Sequence, residues 1–324
     1  MEFSGLIGLI NVFRKMINRF WILIGLGLIL VGCSGKAPLD NPARGTIVIA
    51  ADESFQPLVM QLTSAYSGIY PDAQFKIVYK PEQEAINMML QDSARLAFTT
   101  RLLKPNERAV LNQRKIKGAS EKIATDGVAL IINKANTDSL LTMDELQRVF
   151  NGQIKQWAQL KGGNQAGPIT LVFDNNNSSN LEFILSTFKV KDVKNLRIFT
   201  THSNREVIEF VRKNPSALGF IGVNWISDGD EPLSVELARD LRIAGVSPKV
   251  NPTKRDDYFQ PFQEDLGMMR YPLRRPVYIL SRETHPGLGG GLINYIARDA
   301  GSLIIRKLGL WPRIPYDRVI NLTK

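Results

Sequence analysis

The run Asp174-Asn175-Asn176-Asn177-Ser178-Ser179-Asn180 gathers one carboxyl, several amides and two hydroxyls within a few residues. That set offers neutral hydrogen-bond donors and a single acidic acceptor. It is equipment for holding a small polar ligand or an oxyanion. The run lies between an apolar stretch ending at Phe173 and a helix-like stretch over residues 181–188. Ser179-Asn180-Leu181-Glu182 fits a capping box, with Ser at the cap and Glu three residues on. Asn tolerates left-handed turns, so a turn and a cap explain most of the composition. The same geometry leaves backbone N–H groups free at the positive end of a helix, where an anion is favoured. On residue types alone, a cap and a cap that also holds a ligand are equally open.

Other chemistry finds little support. The chain has two histidines, His202 and His285, and neither belongs to a metal-ligand spacing. No nucleophile elbow and no phosphate-binding lysine loop occur. The glycine-rich run over residues 287–291 precedes a helix and reads as its flexible start, not as a phosphate loop. No enzyme, metal or cofactor is expected. A formal charge of +10 favours anionic ligands or surfaces, but the charges are dispersed, so nucleic acid is not an expected partner.

The single cysteine, Cys33, excludes an internal disulfide. Arg14, Lys15 and Arg19 precede an uninterrupted apolar run from Phe20 to Gly32. That run is shorter than the roughly 20 residues of a membrane span but suits a signal-peptide core. Its end, Leu30-Val31-Gly32-Cys33, resembles the bacterial lipobox. The resemblance implies a signal peptide over residues 1–32, lipid on Cys33, and a tether over 33–44. Either Met1 or Met16 could start the chain.

The elements that must position these residues alternate. Gly45–Ala51, Phe75–Tyr79 and Leu96–Thr99 read as strands, with helices over Ser54–Tyr66 and Pro81–Leu90 between them. Strand–helix alternation predicts a parallel sheet with crossover helices. A second set follows. It has strands over Gly127–Asn133, Ile169–Phe173, Ala217–Val223 and Val277–Leu280, and helices over Thr142–Phe150, 181–188 and Arg205–Arg212. Thr142-Met143-Asp144-Glu145 forms a capping box. Residues 228–270 read as irregular, and Gly291–Leu308 as one long helix. Ligands of open α/β sheets bind at the carboxyl ends of strands. The candidate loops are therefore residues 51–55, 80–84, 99–104 and 174–180.

Several segments resemble the PstS-type phosphate-binding proteins of ABC transporters, within the type 2 periplasmic-binding-protein superfamily. They are Ala124-Thr125-Asp126-Gly127, the passage from Leu141 to Gly163, Gly219-Phe220-Ile221-Gly222, the strand from Tyr271 to Tyr278, and the C-terminal passage from Ala300 to Pro312. The likeness spans about residues 45–315 in consistent order. It implies an α/β fold of two lobes joined by crossing strands. One lobe would be 45–125 plus 282–324, the other 126–281. It also implies capture of phosphate or a similar oxyanion by hinge closure and delivery to an ABC permease. The protein would be a lipid-anchored, extracytoplasmic monomer of the bacterial cell envelope. The alternative is an envelope receptor, sensor or scaffold of the same fold that has lost phosphate and binds another small polar ligand or a protein partner.

Carried over residue by residue, the resemblance implies Ser54 and Phe55 in the first ligand loop and Thr100 and Arg101 in the third. The second loop, Lys80-Pro81-Glu82-Gln83-Glu84, lacks the family's hydroxyls and has gained acids. In the fourth, Ser178 is kept. Asp174 stands where the family has arginine, Ser179 where it has glycine, and Asn180 where it has threonine. Two arrangements follow. Either Arg101 supplies the cation and Asp174 accepts a proton of the ligand, or the two pair with each other and phosphate is lost.

Overall fold

The computed structural model describes residues 40–230 and 232–315. The expected signal peptide, Cys33 and the tether as far as Leu39 lie outside the described residues. The first half-lobe comprises β1 (Gly45–Asp52), α1 (Gln56–Ile69), β2 (Ala73–Lys80), α2 (Glu82–Leu90), β3 (Leu96–Thr99) and α3 (Pro105–Gln113). A long strand, β4 (Ala119–Asn133), leads out of it. The second lobe contains β5 (Leu140–Thr142), α4 (Met143–Phe150), β6 (Thr170–Phe173), α5 (Ser179–Thr187), β7 (Ile198–Thr200) and α6 (Asn204–Lys213). It continues with β8 (Ala217–Gly222), α7 (Pro232–Ala238), β9 (Leu241–Ile243), β10 (Gly245–Ser247) and α8 (Gln263–Gly267). The chain returns through β11 (Arg274–Ser281), α9 (Leu288–Ile296), α10 (Asp299–Lys307) and β12 (Trp311–Pro312).

Within each lobe the strands are parallel, as their alternation with helices predicts. β1 pairs with β2 and β3, and β6 pairs with β7 and β8. The two sets are joined by antiparallel crossing strands in the order β2-β1-β3-β11-β4-β8-β6-β7. The first half of β4 pairs with β11, and residues 128–132 pair with β8. β4 therefore spans both lobes, roughly 50 Å of chain at 3.3 Å per residue.

Each lobe has its own core. In the first, Ile49, Phe55, Leu58 and Leu62 pack against Leu292, Ile296 and Leu308 from the far end of the chain. Val277 and Ile279 belong to this core as well, so β11 serves the first lobe beyond its crossing. In the second, Phe150 stacks on Phe188 with centroids 4.9 Å apart and meets Phe220 edge-on at 5.9 Å. Each contact of this kind is worth about 0.5–1.5 kcal/mol beyond area burial. Trp157 is fully buried, and its indole N–H donates to the Ser216 carbonyl at 2.9 Å. The capping box of α4 forms as expected: Thr142 Oγ1 accepts from the Glu145 N–H, and Glu145 accepts from the Thr142 N–H. The passage from Leu141 to Gly163 is thus scaffold.

Three expectations need correction. The helix expected over Gly291–Leu308 is two helices, α9 and α10, because Arg298 is extended (φ −103°, ψ 179°). A side chain at Gly301 would meet Ile296 Cα at 2.4 Å, so only glycine lets α10 fold back on the end of α9. Residues 228–270 are not wholly irregular. They hold α7, α8 and two three-residue strands: β9 pairs with the end of β4, and β10 pairs with β5. Finally, the cap of α5 is Ser178, whose Oγ accepts from the Leu181 N–H at 3.0 Å. The capping box expected with Ser179 as the cap does not form. The glycine-rich start of α9 is saturated internally. Asp40 accepts from Leu288 N–H, and Glu283 accepts from the N–H groups of Gly289 and Gly290.

Candidate functional site

β1 and β6 end facing each other across the lobes, and each hands over to a helix start. Because Ser178 caps α5, Ser179 is left free to turn its hydroxyl across the cleft. It donates to Asp52 Oδ1 at 2.7 Å and lies 3.3 Å from the Ser54 hydroxyl. Asp52 Oδ1 also accepts from the Ser54 N–H at 3.0 Å and the Ser54 Oγ at 2.5 Å. One carboxylate oxygen thus gathers three donors from the two lobes.

The cation of this centre is Arg275, from crossing strand β11. It is 1% exposed. Its Nη1 donates to Ser179 Oγ at 3.0 Å and its Nη2 to Ser54 Oγ at 3.1 Å. Its Nε donates to Asp126 Oδ2 on β4 at 2.9 Å, a fully buried ion pair. The Phe55 ring lies under the guanidinium, 5.2 Å from centroid to carbon. Asn224 and Trp225 hold the first loop from the second lobe, both donating to the Ser54 carbonyl, at 2.9 and 3.1 Å.

Beside this centre runs a chain of amides. Glu53 accepts from Asn204 through both its backbone N–H, at 3.1 Å, and its Nδ2, at 2.5 Å. Asn204 Oδ1 accepts from Asn180 Nδ2 at 3.1 Å, and Asn180 Nδ2 also reaches Asp174 Oδ1 at 3.2 Å. Burial, and then the charge of Asp174, push the Glu53 carboxyl up to about 8. Burial, and then the charge of Asp52, push Asp174 up to about 7.

The third expected loop is engaged elsewhere. Arg101 grips Glu107 on α3 with two hydrogen bonds, at 2.8 and 2.9 Å, and its Nε lies 3.4 Å from Glu82. Burial opposes ionisation of Glu107, but those hydrogen bonds with Arg101, and others from Gln83 and Lys104, hold it down to about 2. The Thr100 hydroxyl and N–H both donate to Glu82. Of the expected residues, the structure brings together Ser54, Phe55, Asp174, Ser178, Ser179 and Asn180. It sets Thr100 and Arg101 against Glu82. Arg101 and Asp174 do not pair with each other, because Glu107 and Glu82 take the guanidinium instead.

Sequence reasoning missed Asp52, Glu53, Asp126, Asn204, Asn224 and Arg275 as site residues. Two signals were present: acids where the apolar strand β1 ends, and opposite charges inside the otherwise scaffold-like motifs around Asp126 and Arg275. Adjoining this centre at Ser178, a groove of about 890 Å³ opens between Gln83 and Glu84 at the start of α2 and Asn177, Ser178 and Glu182 at the start of α5. No group of metal-ligating side chains exists among the described residues. No helix among them is long and apolar enough to cross a membrane.

Known proteins share this architecture. The chain is 21% identical over 263 residues to the phosphate-binding protein PstS of Staphylococcus saprophyticus, covering 80% of this chain and 77% of that one. A structure described as a phosphate ABC transporter substrate-binding protein with bound phosphate, from Clostridium perfringens, superposes with a TM-score of 0.68. It is 21% identical and covers 83% of this chain and 99% of its own. An ABC-type phosphate transport receptor from Vibrio cholerae gives 0.59 at 19% identity, covering 82% of this chain and 99% of its own. The likeness to PstS-type proteins read from the sequence is met by these relatives, and the fold is the two-lobed type 2 form. The model of the PBP superfamily domain matches residues 36–300, so the chain belongs to the periplasmic-binding-protein superfamily.

Proposed function

We propose that this protein captures phosphate, or a closely similar oxyanion, between its two lobes and passes it to an ABC-type permease without covalent chemistry. The observation that carries the reading is Arg275, buried against Asp126, with one serine hydroxyl from each lobe on its two terminal nitrogens. Both serines lie at helix starts, where backbone dipoles favour negative charge. Asp52 Oδ1 holds those hydroxyls here. An incoming oxyanion would displace it and inherit its donors, and closure about β4 and β11 would complete the capture. The lobe boundaries at 45–125 plus 282–324 and 126–281, lipid on Cys33, an extracytoplasmic location in the bacterial envelope and a monomeric state belong to the same proposal. The excess of carboxyls around Arg275 supports a second reading, a receptor of this fold for another ligand.

The test is thermal unfolding with phosphate, sulfate and a panel of polar metabolites. A ligand that binds only the folded state raises Tm, by about 2.7 kcal/mol of stability at a hundredfold excess over Kd. Phosphate at millimolar concentration should raise Tm. No shift would sink the phosphate reading and leave the second.

A further inference from the structure

The cleft holds more acid than a simple anion site can use. The ion pairs of the region are Arg275 with Asp126, and Arg101 with Glu82 and Glu107. Both guanidiniums are therefore already balanced. Asp52, Glu53 and Asp174 lie within electrostatic reach of one another, and among the described residues none of the three has a salt-bridge partner. A phosphate dianion placed on Ser54, Ser179 and Arg275 would supply them with no cation and would oppose the ionisation of Glu53 and Asp174 further.

A second observation is independent of charge. Asn180 is fully buried, and its Oδ1 has no hydrogen-bond partner. Its orientation is not arbitrary. The Gly222 N–H donates to Asn204 Oδ1 at 3.4 Å, which turns Asn204 Nδ2 towards Glu53. Asn204 Oδ1 and Asp174 Oδ1 then both demand Asn180 Nδ2. Flipping the Asn180 amide would set its oxygen against two acceptors. A buried acceptor is thus left without a donor, on a side chain bonded to Asp174 and, through Asn204, to Glu53.

We propose that the ligand is a zwitterion. Its phosphate or phosphonate head would lie on Ser54, Ser179 and Arg275, and its ammonium would be received by Glu53, Asp174 and Asn180 Oδ1. The inference rests on the oxyanion reading of the same site. An ammonium carries three donors and no acceptor, which matches two carboxylates and an amide oxygen. Burial, and then the charge of a neighbouring carboxyl, raises both Glu53 and Asp174, and an ammonium between them would oppose both causes.

The experiment is isothermal titration of the full chain in detergent at pH 7.5 with 2-aminoethylphosphonate, ethylphosphonate and orthophosphate. The expected result is a Kd for 2-aminoethylphosphonate at least tenfold below those of the other two. In Glu53→Gln the ratio between the two phosphonates should shrink below threefold. Equal affinity for the two phosphonates, or tighter binding of orthophosphate, would overturn the zwitterion while leaving phosphate capture standing. Binding of none of the three would overturn both. The wild-type ratio decides the matter even if Glu53→Gln does not fold.

Discussion

Arg275 carries its charge at 1% exposure, with Asp126 fully buried beside it. A buried ion pair contributes little when intact and costs much when halved, because one charge is left without a partner. Arg275→Ala should lower stability by about 3–5 kcal/mol in urea unfolding and abolish any rise of Tm with phosphate. Replacing both partners, Arg275→Met with Asp126→Leu, should recover most of the stability and none of the binding. Binding that returned in the double variant would remove Arg275 from the site. The two residues are 149 positions apart, which is why they were legible only as fold motifs. The loops that hold Ser54, Phe55 and Ser178 were legible as helix starts just after apolar strands, and the residues themselves were carried over from the resemblance. Arg101 was expected at the centre because Thr100-Arg101 matches the third ligand loop of the resemblance. Helix α3, which carries Glu107, has too few apolar residues to announce itself, so the partner that holds Arg101 went unseen.

At the scale of elements, α5 shows how a shift of one residue changes function. Ser178 spends its hydroxyl on the Leu181 N–H, and Ser179 spends its own on the cleft. Ser178→Ala should therefore cost about 1 kcal/mol of stability, the usual worth of an N-cap. Ser179→Ala should leave the cap intact and weaken phosphate binding. Equal stability losses in the two variants, by chemical unfolding, would refute the assignment. The helix itself was readable from its sequence, but the register of its cap was not, since either serine satisfies the local pattern. The same limit applies to the sheet. β1, β3, β6 and β8 are short apolar runs that stand out. β5, β7, β9 and β10 have three residues each, too few for any period, and they exist because distant chain supplies their hydrogen bonds. The break between α9 and α10 depended on Gly301 meeting Ile296, a contact that periodicity does not register.

The whole molecule is held shut from several points. Besides Ser54 with Ser179 and Glu53 with Asn204, Gln61 on α1 donates to Asp228 at 2.9 Å. Closure buries Glu53 and Asp174, and that has a consequence for pH. Both have folded-state values above their ordinary ones: Glu53 at about 8 rather than 4.5, and Asp174 at about 7 rather than 3.8. Between those limits the folded protein binds protons that the unfolded chain has released. Stability must fall as pH rises through the window. Glu107, held down to about 2, is ionised in both states there and adds no slope. Tm should decline from pH 5 to pH 8, and the decline should flatten in a variant carrying Glu53→Gln and Asp174→Asn. A Tm that stayed level or rose over that range in the wild type would contradict the assigned burial.

The first lobe's core joins Ile49, Leu58 and Leu62 to Leu292, Ile296 and Leu308. A ribosome must therefore pass residue 308 before this core has all its parts, whereas the last fully buried member of the second lobe's core is Leu273. Pairing of strands so far apart is slow, because loop closure must come before the contacts that reward it. During synthesis, α1 and β1 emerge early, with an apolar face and no partner to cover it. The molecule must pass through a long interval as a half-built chain with exposed hydrophobic surface, dependent on whatever binds such surface until its last two helices arrive.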